Sequence, residues 1–152
     1  MLGQYISPGG IMLQEVCRDW EECIDRGARP LLEHGIVLPS YSAAVKRNHR
    51  EMGAYMVIAP GIMLSHARPE DGAEAVGLTI LTLREPVAFG SAHNDPVRLV
   101  ITLATPDAKS HVAMLEDLSG FLMTEGMAQR LMEAQTEESA QALFEEYQEG
   151  VS

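Results

Sequence analysis

The chain has 152 residues and a net charge of −11, from 22 acidic and 11 basic side chains with His neutral. So negative a surface repels phosphate backbones and anionic headgroups, and the longest basic cluster (Lys46, Arg47, His49, Arg50) is too small to follow a groove, which excludes nucleic acid. With 46% hydrophobic and 22% charged residues, no apolar run near the roughly 18 residues of a membrane span and no signal-peptide pattern over Met1 to Gly10, a cytoplasmic globular domain over residues 1–152 is expected.

Met12 to Arg29 reads as a first helix, with Val16, Trp20, Cys23 and Ile24 at helical spacing. Its two cysteines, Cys17 and Cys23, are six residues apart, so the reading sends them to different faces as ordinary buried thiols, with neither a bridge nor a zinc site. Pro30 permits a further turn, Leu31 to His34, that Gly35 ends. Ser40 is the expected cap of a second helix, Tyr41 to Met52, which Gly53 breaks. The period then changes. Tyr55 to Ala59 and Ile62 to Leu64 read as short strands, and Arg68 to Ala73 as a loop. Val76 to Leu83 is strand-like, Arg84-Glu85-Pro86 a turn, and Val87-Ala88-Phe89 a further short run before the polar loop Gly90 to Pro96. Val97 to Ala104 is nearly all apolar, the pattern of a central strand covered on both faces. Helices follow over Lys109 to Met123, Met127 to Ala134 and Glu137 to Tyr147. The order implies an α/β fold, a mixed central sheet of about five strands with helices on both faces. Glu133, Glu137, Glu138, Glu145, Glu146 and Glu149 crowd the last helices, so much of the negative charge reads as a solvated face.

Chemistry near neutral pH directs attention to the five histidines. His34 lies beside a helix-ending Gly, His49 in a charged patch on a helix and His93 in a polar loop; all three read as structural or solvated. His66 directly follows an apolar strand and precedes Arg68, Glu70 and Asp71, at the strand–loop boundary where open sheets concentrate chemistry. His111 opens a helix and shares a stripe with Leu115, Leu118 and Leu122, so it faces inward at a helix N-terminus, a position suited to an anion. A His66–His111 pair fits a phosphate site or, with Asp107 as a third ligand, a metal site. No HExxH, Walker lysine motif, GxGxxG or Gly-x-Ser-x-Gly is present.

The stretch from Tyr55 through Ala59-Pro60-Gly61, Ser65-His66 and Arg68-Pro69-Glu70-Asp71-Gly72 resembles the active-site segment of the enzyme IIA proteins of the sugar phosphotransferase system, in the fructose/mannitol superfamily. The Ala-Pro-Gly, the Arg-Pro-Glu-Asp-Gly and Asn94-Asp95-Pro96-Val97 look most like its ascorbate branch; Asp19 to Glu22, Leu31-Leu32, Gly35 and Tyr41 add weaker matches. The resemblance covers nearly the whole chain and implies the mannitol-type IIA fold. It implies that His66 is the phosphoryl acceptor, that His111 bonds the phosphate, and that Arg50, sixteen residues before His66 and followed by Glu51, supplies charge. One departure is Ser65 where the family often has Pro; its hydroxyl is a candidate phosphate ligand.

The implied reaction is acceptance of a phosphoryl group on His66 from phospho-HPr and its transfer to a cysteine of an enzyme IIB protein. An enzyme IIC permease is the indirect partner, the sugar is ascorbate-like, and no metal or nucleotide cofactor is needed. Met63 and Leu64, beside His66, are candidates for the dry centre of the docking face. A homodimer stays open. The alternatives are a regulatory phospho-acceptor of the same fold that binds a target protein, and a binding module holding a metal on His66, His111 and Asp107.

Overall fold

In the computed structural model, which describes residues 2–151, five strands form one mixed sheet with three helices on one face and two on the other. The strands are β1 (Ile6–Glu15), β2 (Val57–Ala59), β3 (Ile62–Ser65), β4 (Gly77–Val87) and β5 (Val97–Ala104), in the order β1-β4-β5-β3-β2. β1 runs parallel to β4 and β3 parallel to β5; the other two pairings are antiparallel. The helices are α1 (Trp20–Glu33), α2 (Pro39–Met52), α3 (Ala108–Met123), α4 (Met127–Glu133) and α5 (Glu137–Val151). One core joins Ile24, Leu31, Tyr41 and Val45 of α1 and α2 to Met63, Leu81 and Val100 of the sheet. The other joins Leu118, Phe121, Leu131 and Phe144 of α3 to α5 to Leu64, Ile80 and Ile101. Alternate residues of the central strands thus enter opposite cores, the strand period of two with both faces apolar. Among the described residues no helix is long and apolar enough to cross a membrane.

The expected α/β sheet with helices on both faces is present, with a different first element. The predicted Met12–Arg29 helix is the end of β1 followed by α1. Alternating Ile11 and Leu13 belong to the strand, and Asp19 starts the helix by accepting the Glu22 backbone N–H at 2.9 Å. Cys17 therefore lies outside α1, and its thiol shares a hydrogen bond with that of Cys23; burial raises the pKa of both thiols. α1 continues through Pro30 to Glu33, and Gly35, at φ +70°, carries the chain away from it. The cap of α2 is Leu38, not Ser40, whose hydroxyl donates instead to the Asp71 carbonyl at 2.8 Å. The predicted turn at Arg84 to Pro86 lies within β4, which continues to Val87.

Small and hydroxylated residues set how closely α1 approaches the sheet. Ser65, Thr102 and Thr79 stand side by side across β3, β5 and β4, and all three are fully buried. Thr79 Oγ1 donates to the Gly27 carbonyl at 2.6 Å. A Cβ at Gly27 would run into Thr102 Oγ1, so this helix position accepts only glycine without rearrangement. The acidic side chains of α4 and α5 (Glu133, Glu137, Glu138, Glu145, Glu146, Glu149) are solvent-exposed, as their pattern implies.

Candidate phosphoryl-transfer site

Because β3 and β5 are parallel and in register (Ser65 opposite Thr102), their C-terminal ends finish side by side. His66 is the first residue after β3. His111 lies in the first turn of α3, which β5 feeds through Thr105, Pro106 and Asp107. Two residues 45 positions apart are thereby brought to one place, with ring centroids 5.8 Å apart and planes at 43°. Both line a cavity of about 570 Å³ with Asn48, Tyr55, Ala67, Arg68, Pro69, Glu70, Pro106, Asp107, Ala108 and Val112.

Each imidazole is oriented through Nδ1. That of His66 is 3.0 Å from the Leu64 carbonyl, which can only accept, so Nδ1 carries the proton and Nε2 keeps its lone pair. Burial lowers the His66 pKa below the ordinary imidazole value; the Leu64 hydrogen bond raises it and His111 adds a smaller lowering. The ring is therefore neutral at pH 7. His111 Nδ1 is 3.2 Å from Thr105 Oγ1, a buried hydroxyl at the end of β5. The turn after His66 is tied down by Tyr41, whose hydroxyl accepts the Ala67 backbone N–H at 3.0 Å and donates to the Leu103 carbonyl at 2.7 Å. The predicted loop from Arg68 closes as a 3-10 turn over Pro69–Asp71, with Asp71 accepting the Arg68 N–H at 3.1 Å.

Other expected contributors lie elsewhere. The Arg50 guanidinium pairs with Glu21 of α1 at 3.2 Å and is not part of the cavity lining: its place on α2 directs it to the α1 surface. Ser65 Oγ is fully buried in the row facing α1, with no hydrogen-bond partner, because a residue opposite Thr102 must point into that core; it does not reach a phosphate on His66. Met63 and Leu64 are buried in the two cores and offer no docking surface. The large exposed apolar residues at the cavity are Tyr55 and Val112. Asp107 is the N-cap of α3, accepting the Ser110 N–H at 2.8 Å, and among the described residues no three His, Cys, Asp or Glu side chains are placed to hold a metal. His34 and His93 are exposed, but His49 is buried rather than in a charged patch. Its Nε2 lies 2.7 Å from the Phe89 carbonyl and its ring packs on Trp20 and Phe89. Asn48 and Tyr55 were not apparent as lining residues from sequence: one is a lone polar residue on a charged helix, the other the start of a predicted strand.

The site is a pair of imidazoles at the C-terminal ends of two adjacent parallel strands, opening on one cavity. Residues 4–147 match the family described as phosphoenolpyruvate-dependent sugar phosphotransferase system, EIIA 2, and the chain belongs to that family. It is 38% identical over 101 residues, 66% of each chain, to the ascorbate-specific phosphotransferase-system EIIA component of Salmonella typhi. Among solved structures it superposes on the mannitol-specific cryptic phosphotransferase enzyme IIA CmtB of Escherichia coli with a TM-score of 0.88 and 30% identity, covering 95% of this chain and 98% of that one. The enzyme IIA of mannitol in its complex with phosphorylated enzyme IIB, also from Escherichia coli, shares the fold at a TM-score of 0.79 and 24% identity, covering 93% of this chain and 97% of the other. The protein is thus an enzyme IIA component of the phosphotransferase system, with the mannitol-type fold.

Proposed function

We propose that His66 accepts a phosphoryl group from phosphohistidine on HPr and passes it to a cysteine of an enzyme IIB partner, in the cytoplasm, as part of uptake of an ascorbate-like sugar acid through an enzyme IIC permease. The observation that carries this reading is the Nδ1 contact of His66 with the Leu64 carbonyl on a side chain lining the cavity, which leaves the Nε2 lone pair available as the nucleophile. The lone pair of Nε2 forms the new N–P bond while the donor's N–P bond breaks and its electron pair returns to the donor imidazole. The proton stays on Nδ1, donated in a hydrogen bond to the Leu64 carbonyl, so the phosphorylated ring is cationic and its N–P bond remains labile. A IIB thiolate then attacks phosphorus; the S–P bond forms as the Nε2–P bond breaks, its electron pair returns to Nε2, and His66 is again the neutral imidazole protonated on Nδ1. The transition state is loose, with charge spread over three equatorial oxygens, so positioned donors matter more than covalent chemistry. In the tautomer in which Nδ1 accepts from Thr105, His111 carries its proton on Nε2 and offers it to those oxygens. The ascorbate assignment is supported by the 38% identity to the Salmonella protein named for it, and the IIB partner by the mannitol complex.

The test is incubation with phosphoenolpyruvate, enzyme I and HPr, followed by a IIB protein. One acid-labile phosphate on the wild type, none on His66→Ala with an unchanged circular dichroism spectrum, and onward loss to IIB are expected. Labelling that persists in His66→Ala sinks the proposal. Labelling without onward transfer to any IIB protein points to the regulatory alternative.

A further inference from the structure

A phosphoryl group on His66 is anionic, yet the cavity that would receive it is lined by two carboxylates, Glu70 and Asp107. Arg50 is held on Glu21 away from this lining. The one permanently cationic side chain among the lining residues is Arg68, two residues after His66. It is engaged by acids of its own turn: Nε lies 3.4 Å from Asp71 Oδ2 and 3.6 Å from Glu70 Oε1. These contacts use one of the five donors of the guanidinium. The two partners of the main pair differ in exposure. The Arg68 side chain is 71% exposed, whereas that of Asp71 is 12% exposed and also holds the Arg68 backbone N–H. The acid is anchored to the turn, and the base reaches it from solvent.

We infer that Arg68 is the phosphate-binding cation of this site, held in reserve on Asp71 and exchanged onto the phosphoryl group when His66 is modified. An exposed ion pair of this kind contributes little and is readily given up. A phosphoryl group presents several anionic oxygens, which the guanidinium fork meets two at a time, a stronger and more directional contact than a single Nε hydrogen bond. The 3-10 turn keeps its shape during the exchange, since Asp71 retains the Arg68 backbone N–H and Gly72 retains its bond to the Pro69 carbonyl at 3.1 Å. Arg68 thus adds positive charge late in the transfer, when the group has left its donor. In the resting protein its charge is masked by Asp71, so the empty cavity attracts free phosphate weakly.

This inference rests on phosphorylation of His66, and the experiment separates the two. Wild type, Arg68→Gln, Arg68→Lys and Asp71→Asn are phosphorylated by phospho-HPr, with the rate followed by quenched mass measurement and the phosphorylated products titrated by phosphorus-31 NMR. Arg68→Gln is expected to be roughly 10- to 100-fold slower, and its phosphoryl signal to titrate at higher pH because the dianion has lost its cation. Arg68→Lys recovers part of the rate. Asp71→Asn, which keeps an oxygen for the backbone N–H and releases Arg68, labels at least as fast as wild type. The inference is overturned if Arg68→Gln labels within twofold of wild type with an unmoved phosphorus titration. It is equally overturned if Asp71→Asn loses as much rate as Arg68→Gln, which would make the turn, not the cation, the important element. Absence of label on the wild type itself would instead remove the role of His66, and that of Arg68 with it.

Discussion

His49 and His66 are both drawn in from solvent, and their surroundings assign them opposite tasks. Around His49 everything is spent on fixing the ring: Trp20 at 4.4 Å and Phe89 at 5.6 Å between centroids, Nε2 on the Phe89 carbonyl, and a buried Nδ1 with no partner. Around His66 the same kind of carbonyl contact fixes only Nδ1, and the side chain opens on a cavity with a second imidazole across it. Burial by itself therefore does not mark a reactive histidine. What marks it is burial that stops one nitrogen short, leaving a lone pair directed at space another molecule can enter.

That contrast can be broken most directly by exchanging the two losses. His66→Ala should abolish phosphoryl labelling and leave thermal stability close to wild type. His49→Ala should do the reverse, losing roughly 2–4 kcal/mol in urea unfolding through the emptied ring site while the folded fraction still accepts phosphate. A His49→Ala protein that is stable but unlabelled would collapse the distinction. His111→Ala comes next, with transfer slowed roughly 10- to 100-fold by loss of one positioned donor and with the circular dichroism spectrum unchanged. It should also move the pH profile. The His66 pKa is lowered, so the neutral nucleophile persists below about pH 6.5 and the rate falls only as pH drops through the lowered value. Removing His111 removes one of the lowering influences, so the acid limb moves up; a downward move would contradict the geometry. Arg50→Ala should cost at most about 1 kcal/mol, the scale of an exposed pair with Glu21, and leave transfer within twofold. A larger loss would return Arg50 to the site. Ser65→Ala should change least, staying within about 0.5 kcal/mol of wild type or slightly above it in urea unfolding, since it deletes a buried hydroxyl without a partner.

The sequence carried the parts of the architecture that rest on composition and spacing. The apolar run at Val97 is the central strand, and the strand end at Ser65 delivers His66 where topology predicts chemistry. His111, placed by its spacing with the leucines of α3, does meet His66. What was hidden depends on tertiary contact. The end of β1, from Met12, reads as helix in sequence because the strand is interrupted by Pro8-Gly9-Gly10 and its pairing with β4 is formed by residues about 70 positions away. The apolar period running through Val16, Trp20, Cys23 and Ile24 hides the helix start at Asp19, whose cap on the Glu22 amide is seen only in the structure. Cys17 and Cys23 share a hydrogen bond only because the chain bends between them. The direction of Arg50 depends on Glu21, and the burial of Ser65 on Thr102; neither partner is local.

The Tyr41 hydroxyl, which couples the Ala67 amide to the Leu103 carbonyl, bears on how acid and base titrations of this protein are read. Burial holds the phenol up to about 12, so the bridge between α2, the turn after His66 and β5 is intact throughout the range in which imidazoles and phosphates ionise. The backbone around His66 therefore behaves as a pH-independent frame. A bend in the transfer rate between mildly acidic and mildly alkaline solution reports protons on the reacting groups and not a change in the position of the turn that presents them.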